Sequence, residues 1–273
     1  MKLFKERINK FKRIHPLLFN ILWKGSALLI GLVLFFGLWS IISRAISSTI
    51  LPGPITTLKT IFKLLGKSAT YKVLGYTIGR IALALFTATI IGVFLGSLAG
   101  YYQFVEYVLK PIVIVLRSFP SVALMLILII FTKNASFYLV CIVLFPIIYE
   151  STLRGVGEIK SEYQSILKLD GQDSIVNIPK VALPLATDYI LIGIFQSLGL
   201  GLKVQIMGES LMGSTTFVGL GIEIYKAYLN LDMDVVFAYS ILAIALIMIA
   251  DLLTLVLKRK LKQRLLEQGK AKA

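Results

Sequence analysis

Five charged side chains lie inside long apolar stretches of this sequence, and they are the residues whose chemistry most needs an explanation. They are Arg80, Arg117, Lys203, Glu209 and Asp251. A charge within a bilayer is costly, so such residues mark either paired positions or functional sites. Helical rise places Arg117 and Asp251 both at about 10 Å depth from one membrane face, which predicts that they are neighbours. Arg80 and Glu209 lie toward the other face and form a second candidate pair. Each pair could fix helix packing or act as a gate, and the sequence leaves both open.

Lys203 lies within the fifth predicted crossing, where Gln205 and Glu209 add polarity on nearby turns. A cation at this position would attract an anion. In the alternative interpretation, Lys203 extends its ammonium group toward the interface or pairs with a carboxylate.

Catalytic and metal-binding residues are not expected in this chain. It has one histidine, His15, and one cysteine, Cys141. An intrachain disulfide is therefore excluded, and a metal cluster or a nucleophile with its base would be hard to build. No Gly-x-x-x-x-Gly-Lys-Ser/Thr loop is present to bind nucleotide phosphates, so we expect no cofactor on this chain and no enzymatic activity of its own.

The apolar residues occur in uninterrupted runs that are typical of an all-α, polytopic membrane protein. Of the 273 residues 57% are hydrophobic, and a helix needs roughly 20 apolar residues to cross a bilayer. Six crossings are predicted, at about 25–43, 81–105, 111–132, 134–149, 189–211 and 235–257.

Charge outside these crossings predicts the orientation. Lys and Arg cluster in 1–24, 150–183 and 258–273, and cytoplasmic segments retain positive charge during insertion. We therefore expect a basic cytoplasmic N-terminus (1–24), a membrane domain (25–257) and a basic cytoplasmic tail (258–273). The net charge of +15 is then a topology signal and an attraction to anionic lipids, and nucleic-acid binding is not expected.

Two segments outside the crossings have predicted structure. After Leu51-Pro52-Gly53-Pro54, the spacing of Lys59, Lys63 and Lys67 predicts an outer interfacial helix over 55–70, with a solvated loop as the alternative. The polar loop 150–183 predicts two short helices, one from about Ser161 to Leu169 that stops at Gly171, and one that begins near Asp173 or Ser174. A helix held across the membrane face offers a handle to a soluble partner.

Small residues on two of the crossings predict close helix packing. They are Gly75, Gly79, Gly92, Gly96 and Gly100 in the second crossing, and Gly193, Ser197 and Gly201 in the fifth.

In the polar loop 150–183, Gly171, Val181, Leu183 and Pro184 follow the pattern Gly, nine residues, an aliphatic residue, any residue and Leu-Pro. This pattern resembles the loop shared by the permease subunits of ABC importers. The Glu-Ala-Ala that begins the family motif falls at Ser165, Ile166 and Leu167, where this chain departs from it. Further landmarks resemble the nitrate/sulfonate/taurine group of these permeases: Leu51-Pro52-Gly53-Pro54, Arg117-Ser118-Phe119-Pro120, Phe145-Pro146-Ile147, Glu209 and Ala250-Asp251.

The resemblance implies a Type I importer permease of the MetI-like fold, multi-pass in the bacterial inner membrane. Two copies would form the pore, two ATPase subunits carrying ATP and Mg would bind the 150–183 loops, and an extracytoplasmic binding protein would deliver a small anion or heterocycle. Pore or gate candidates are Arg117, Pro120, Lys203, Gln205, Glu209 and Asp251. The alternative is an ion-gradient-driven secondary transporter, although no internal repeat is found.

Overall fold

In the computed structural model, residues 16–47, 49–169, 178–213 and 217–271 are described, with side chains within 23–47, 49–161, 178–213 and 217–259. This part of the chain is helical and contains no strand. The helices are α1 (Pro16–Ile46), α2 (Pro54–Leu65), α3 (Ser68–Tyr101), α4 (Gln103–Ser118), α5 (Ser121–Phe131), α6 (Ala135–Leu169), α7 (Thr187–Met212), α8 (Leu220–Leu229) and α9 (Met233–Ala271). A lead-in turn, made of a π-helical turn (Ile178–Ala182) and one α-helical turn (Leu183–Leu185), precedes α7.

Five helices are long and apolar enough to cross a membrane, namely α1, α3, α6, α7 and α9. The predicted crossing at 111–132 is instead the pair α4 and α5, which are bent by 98° at the break between them. Pro120 lacks a backbone N–H, and it holds Phe119 in an extended conformation (φ −72°, ψ 128°), which ends α4. The count of six crossings therefore holds only if this bent pair is one span.

The core of the bundle lies where α3, α6 and α7 meet. Along α3, Gly92, Gly96 and Gly100 face α6 so closely that a Cβ at Gly96 would lie 2.7 Å from the carbonyl oxygen of Tyr149. The small-residue prediction is correct for these three glycines, which allow the two helix backbones to approach. It is wrong for Gly75 and Gly79, which have nothing within 4 Å of a Cβ position.

The fifth-crossing prediction concerns α7, whose small residues pack against the same helix α6. A Cβ at Gly193 would lie 2.7 Å from the Cβ of Ser151, and one at Gly201 would lie 3.1 Å from a methyl carbon of Leu144. Ser197 is fully buried and donates its hydroxyl to the carbonyl of Gly193. α6 is thus the central helix, with glycine-lined neighbours on two sides.

The helix α1 lies at the periphery, and none of its most apolar window is buried in the subunit. Near its end, α1 is held to the segment before α2 by two hydrogen bonds. Trp39 Nε1 donates to the carbonyl of Pro52 at 3.0 Å, and Ser43 Oγ donates to the carbonyl of Leu51 at 2.7 Å. Its remaining apolar surface is therefore available to lipid or to another chain.

The predicted outer helix is present as α2, which ends at Leu65 and does not reach residue 70. Pro54 occupies its first turn, where the missing N–H costs nothing. Thr57, Ile61 and Leu64 are buried against the bundle, whereas the lysines of this helix are exposed. Its apolar residues Ile55, Leu58 and Phe62 are also exposed, as expected for a helix that lies on a lipid interface.

The polar segment 150–169 does not form a separate helix. α6 continues without interruption from Ala135 to Leu169, so the predicted start of a short helix at Ser161 is wrong. Nothing between Pro146 and Leu169 removes a backbone hydrogen bond, and the helix therefore extends beyond the apolar segment. The predicted helix stop at Gly171 and the second start at Asp173 or Ser174 lie outside the described residues.

Candidate solute pathway and coupling region

Glu209 is fully buried in α7 and pairs with Arg80 of α3. Arg80 Nη1 lies 2.9 Å from Glu209 Oε1, and Thr77 Oγ1 donates to Glu209 Oε2 at 2.9 Å. The guanidinium of Arg80 also lies 5.5 Å from the ring centre of Phe217. The predicted pairing of Arg80 with Glu209 is confirmed.

The beginning of α8 closes the same network. The backbone N–H of Gly221 donates to Glu209 Oε2 at 3.1 Å, and that of Leu220 donates to Thr77 Oγ1 at 2.8 Å. A carboxylate is favoured at this place because the first N–H groups of a helix have no intrahelical partner and carry partial positive charge. A Cβ at Gly219 would lie 2.6 Å from the Glu209 carboxyl carbon, so only glycine leaves room for the carboxylate there.

Gln205 completes the network on the side of α6. Its Nε2 donates to Glu209 Oε1 at 3.0 Å and to Ser136 Oγ at 3.3 Å, and its side chain is fully buried. Gln205 and Glu209 therefore lie inside the bundle, where they join α3, α6, α7 and α8. Their roles as pore or gate residues stay predictions.

Arg117 does not pair with Asp251, and that prediction is wrong. Arg117 Nη1 lies 2.5 Å from Glu150 Oε1, and the other oxygen of Glu150 lies 3.9 Å from Arg154 Nη2. The carboxylate of Asp251 lies against Gly199, close enough to occupy the space of a Cβ at that glycine. Equal depth along two helices is not sufficient for contact, because Arg117 lies at Glu150 of α6 whereas Asp251 lies at Gly199 of α7.

One face of α7 is exposed along its length. We call it the α7 stripe, and its members follow one another at spacings of three or four: Ile192, Gln196, Leu200 and Lys203. Asp251 borders this stripe on the side of α9, through its contact with Gly199. On the side of α6 the stripe is bordered by a cavity that Arg117 and Glu150 share with Gln196.

Sequence reasoning missed Glu150, Arg154, Thr77 and Ser136 as site residues. The spacing of Glu150 and Arg154 was a usable signal, since residues four apart on a helix face each other. Thr77 and Ser136 gave no signal, because a hydroxyl inside a membrane helix usually bonds to its own backbone.

The predicted coupling residues divide between described and undescribed parts of the chain. The backbone of Ser165, Ile166 and Leu167 belongs to α6, and Gly171 lies outside the described residues. Val181, Leu183 and Pro184 belong to the lead-in turn. Ile178 and Ala182 of that turn are buried against Tyr101 of α3 and Val156 of α6. The lead-in turn is therefore packed on the end of α3 and on the second half of α6.

Comparison with known proteins identifies relatives over most of the chain. Residues 88–263 match the family model described as binding-protein-dependent transport system inner membrane component. The aliphatic sulfonates transport permease protein SsuC of Bacillus subtilis is 28% identical over 88% of this chain and 87% of its own. The nitrate import permease protein NrtB of Synechococcus elongatus is 27% identical over 72% of this chain and 74% of its own. The taurine transport system permease protein TauC of Escherichia coli is 29% identical over 83% of each chain.

The fold has a solved counterpart in the MetNI methionine ABC transporter in its inward-facing conformations. The superposition has a TM-score of 0.58 at 19% sequence identity and covers 71% of this chain and 96% of that one. Together with the five helices that are long enough to cross a membrane, these matches establish an all-α, multi-pass inner-membrane protein of the MetI-like fold. The chain belongs to the binding-protein-dependent transport system inner membrane components, and among them to the ABC importer permeases of the nitrate/sulfonate/taurine group.

Proposed function

We propose that two copies of this chain enclose the translocation path of an ATP-driven importer for a small anion. The observation that carries the proposal is the α7 stripe, which holds Lys203 and is bordered by the charges of Arg117, Glu150 and Asp251. Charged groups at membrane depth are unstable against lipid tails, so this face requires water or protein. A second copy related by a twofold axis would place its own stripe opposite and enclose an aqueous path.

The charges around the stripe support an anionic solute. Lys203 is the charged member of the stripe itself, and beside it Arg117 and Arg154 share the carboxylate of Glu150. The relatives named above are named for sulfonates, nitrate and taurine, and a further relative is the bicarbonate permease CmpB of Synechococcus elongatus, 28% identical over 77% of this chain. A small oxyanion is the solute class that both observations favour.

Energy and selectivity then come from partner proteins. ATP and Mg would bind to two ATPase subunits held at the end of α6 and the lead-in turn, where Val181, Leu183 and Pro184 lie. An extracytoplasmic binding protein would deliver the anion. Both termini would be cytoplasmic, because 1–24 and 258–273 carry the densest Lys and Arg. A secondary transporter driven by an ion gradient is not favoured by the family.

The test is uptake into proteoliposomes that contain the complex of this chain with its ATPase and binding protein. Nitrate, methanesulfonate and taurine are offered, and uptake of the accepted anion is expected to require ATP. Lys203→Ala should lower uptake at limiting anion about fivefold, the equivalent of about 1 kcal/mol of lost attraction.

The matched control is Lys226→Ala, because Lys226 is a cation paired with Glu223 on α8, away from the stripe. It is expected to leave uptake unchanged. Equal uptake by the Lys203 variant and the wild type would remove the stripe from the path, and uptake that follows an ion gradient without ATP would overturn the importer proposal.

A further inference from the structure

A cavity of about 430 Å³ opens beside the α7 stripe, between the end of α4, the middle of α6 and the beginning of α7. Its volume suits a small ligand. Its polar lining consists of Arg117, Glu150, Ser151, Arg154, Tyr189 and Gln196. Its residues from α6 and α7 belong to helices that are long and apolar enough to cross a membrane.

One carboxylate in this cavity stands between two guanidinium groups. Oε1 of Glu150 is 2.5 Å from Arg117, and Oε2 is 3.9 Å from Arg154. The two guanidinium groups therefore share one carboxylate at ion-pair distance. The side chains of Arg117 and Arg154 are 65% and 75% exposed, whereas that of Glu150 is 31% exposed. Since each guanidinium has five N–H donors, most of them remain open to the cavity.

The other polar groups of the wall are largely engaged. Ser151 Oγ donates to the carbonyl of Tyr189 at 2.5 Å, and the Tyr189 hydroxyl donates to Glu158 Oε2 at 2.7 Å. The donors that face the cavity are then the two guanidinium groups and the exposed amide of Gln196. Paired N–H donors on a planar guanidinium match two oxygens of one anion, as in a sulfonate, nitrate or carboxylate.

A role in stabilising the packing of the helices explains this cluster poorly. Ion pairs as exposed as these contribute little to stability, because water screens them and the side chains lose freedom. Two guanidinium groups that share one carboxylate, by contrast, retain N–H donors for a further anion. The cluster has the charge and the geometry of an anion-binding site. The Glu150 carboxylate occupies part of this site and uses some of the arginine N–H donors.

We propose that this cavity is a low-affinity site for a small oxyanion on the translocation path, and that Glu150 is its built-in competitor. The inference rests on the proposed function. An arriving anion takes the place of Glu150 at Arg117 and Arg154, and the return of Glu150 releases it. A transport site must bind weakly enough to let the solute leave, and an internal competitor provides this weakness.

The test measures binding of trifluoromethanesulfonate, a sulfonate monoanion, by ¹⁹F NMR line broadening. The sample is the permease–ATPase complex in nanodiscs without the binding protein. Glu150→Gln keeps the shape of the side chain and removes the competing charge, so the affinity should rise about five- to tenfold. Arg154→Gln changes an exposed side chain, so the variant should fold normally. This substitution should abolish the broadening of the trifluoromethanesulfonate signal. Nitrate should compete in both the wild type and the Glu150 variant.

The matched controls are Glu223→Gln and Lys226→Gln, which remove the same charges from the ion pair on α8. Both should bind like the wild type. If Glu150→Gln and Glu223→Gln have the same affinity, or if Arg154→Gln binds like Lys226→Gln, the inference is wrong. The Arg154 comparison decides alone if the Glu150 variant does not assemble.

ATP-driven uptake is measured on the same preparations in proteoliposomes, and it separates the two proposals. ATP-dependent anion uptake without the expected change in trifluoromethanesulfonate binding overturns the inference and leaves the proposed function standing. Uptake that does not require ATP overturns the proposed function itself.

Discussion

Removal of the Glu209 carboxylate is expected to destabilise this permease more than removal of any exposed acid. In the native chain the carboxylate accepts hydrogen bonds from Arg80, Thr77, Gln205 and the backbone of Gly221. The side chain of Glu209 is fully buried, and that of Arg80 is 22% exposed. Glu209→Ala would leave a guanidinium without its counter-ion and a buried backbone N–H without an acceptor.

The expected loss in the free energy of unfolding follows from this geometry. Breaking a buried ion pair by removing one partner costs about 3–5 kcal/mol. Because Arg80 is partly exposed, the destabilisation by Glu209→Ala should lie toward the lower end of this range. The N–H of Gly221, which loses its acceptor, adds to the destabilisation. We therefore expect about 3–4 kcal/mol. Glu223→Ala is the matched control, because Glu223 also pairs with a cation at 2.9 Å but is partly exposed, and it should cost at most about 1 kcal/mol.

The assay is a reversible unfolding titration in mixed micelles, followed by helix circular dichroism, for both variants and for Arg80→Ala. The double variant Arg80→Ala/Glu209→Ala should cost much less than the sum of the two single changes, because the second change removes the partner left unpaired by the first. A Glu209→Ala cost within 1 kcal/mol of that of Glu223→Ala would refute the reasoning, and so would additive costs for Arg80 and Glu209.

Two further predictions concern glycines at close helix contacts. Gly96→Ala should destabilise the chain by about 1–3 kcal/mol in the same titration, because its Cβ would lie 2.7 Å from a backbone oxygen, whereas Gly79→Ala has open space and should be neutral or slightly stabilising. Gly199→Ala should also cost about 1–3 kcal/mol by displacing the Asp251 carboxylate, and most of that cost should vanish in an Asp251→Ala background. Equal effects of the Gly96 and Gly79 changes, or a Gly199 cost that is independent of residue 251, would contradict these expectations.

The membrane helices could be predicted from the sequence because apolar length is a direct physical requirement of the bilayer. The predicted crossing at 189–211 differs from α7 by only a residue or two at each end. The 98° bend at Pro120 could not be predicted in the same way, since hydropathy averages over the break. The extension of α6 to Leu169 does not follow from hydropathy, because polar residues continue a helix in water as well as apolar ones do.

Pairing of charges was predicted correctly once and wrongly once, for a common reason. Position along a helix gives depth, and depth was sufficient to find Arg80 and Glu209. Depth does not give the direction in which a side chain points around the helix. It could not predict that Arg117 pairs with Glu150 and not with Asp251. Hydropathy predicts Glu150 in the polar loop 150–183, whereas it lies within α6 beside Arg117.

The separation of Arg80 and Glu209 along the chain has a consequence for synthesis. The two residues are 129 positions apart, so at about 5–20 residues per second the ribosome makes Glu209 roughly 6–26 s after Arg80. Helix α3 must therefore enter the membrane with an unneutralised guanidinium twelve residues, or about 18 Å, from its first residue. Its long side chain has to reach toward the nearer surface during that interval. The nascent chain thus carries a temporary cation in α3, and this cation is neutralised only when α7 has been inserted beside it.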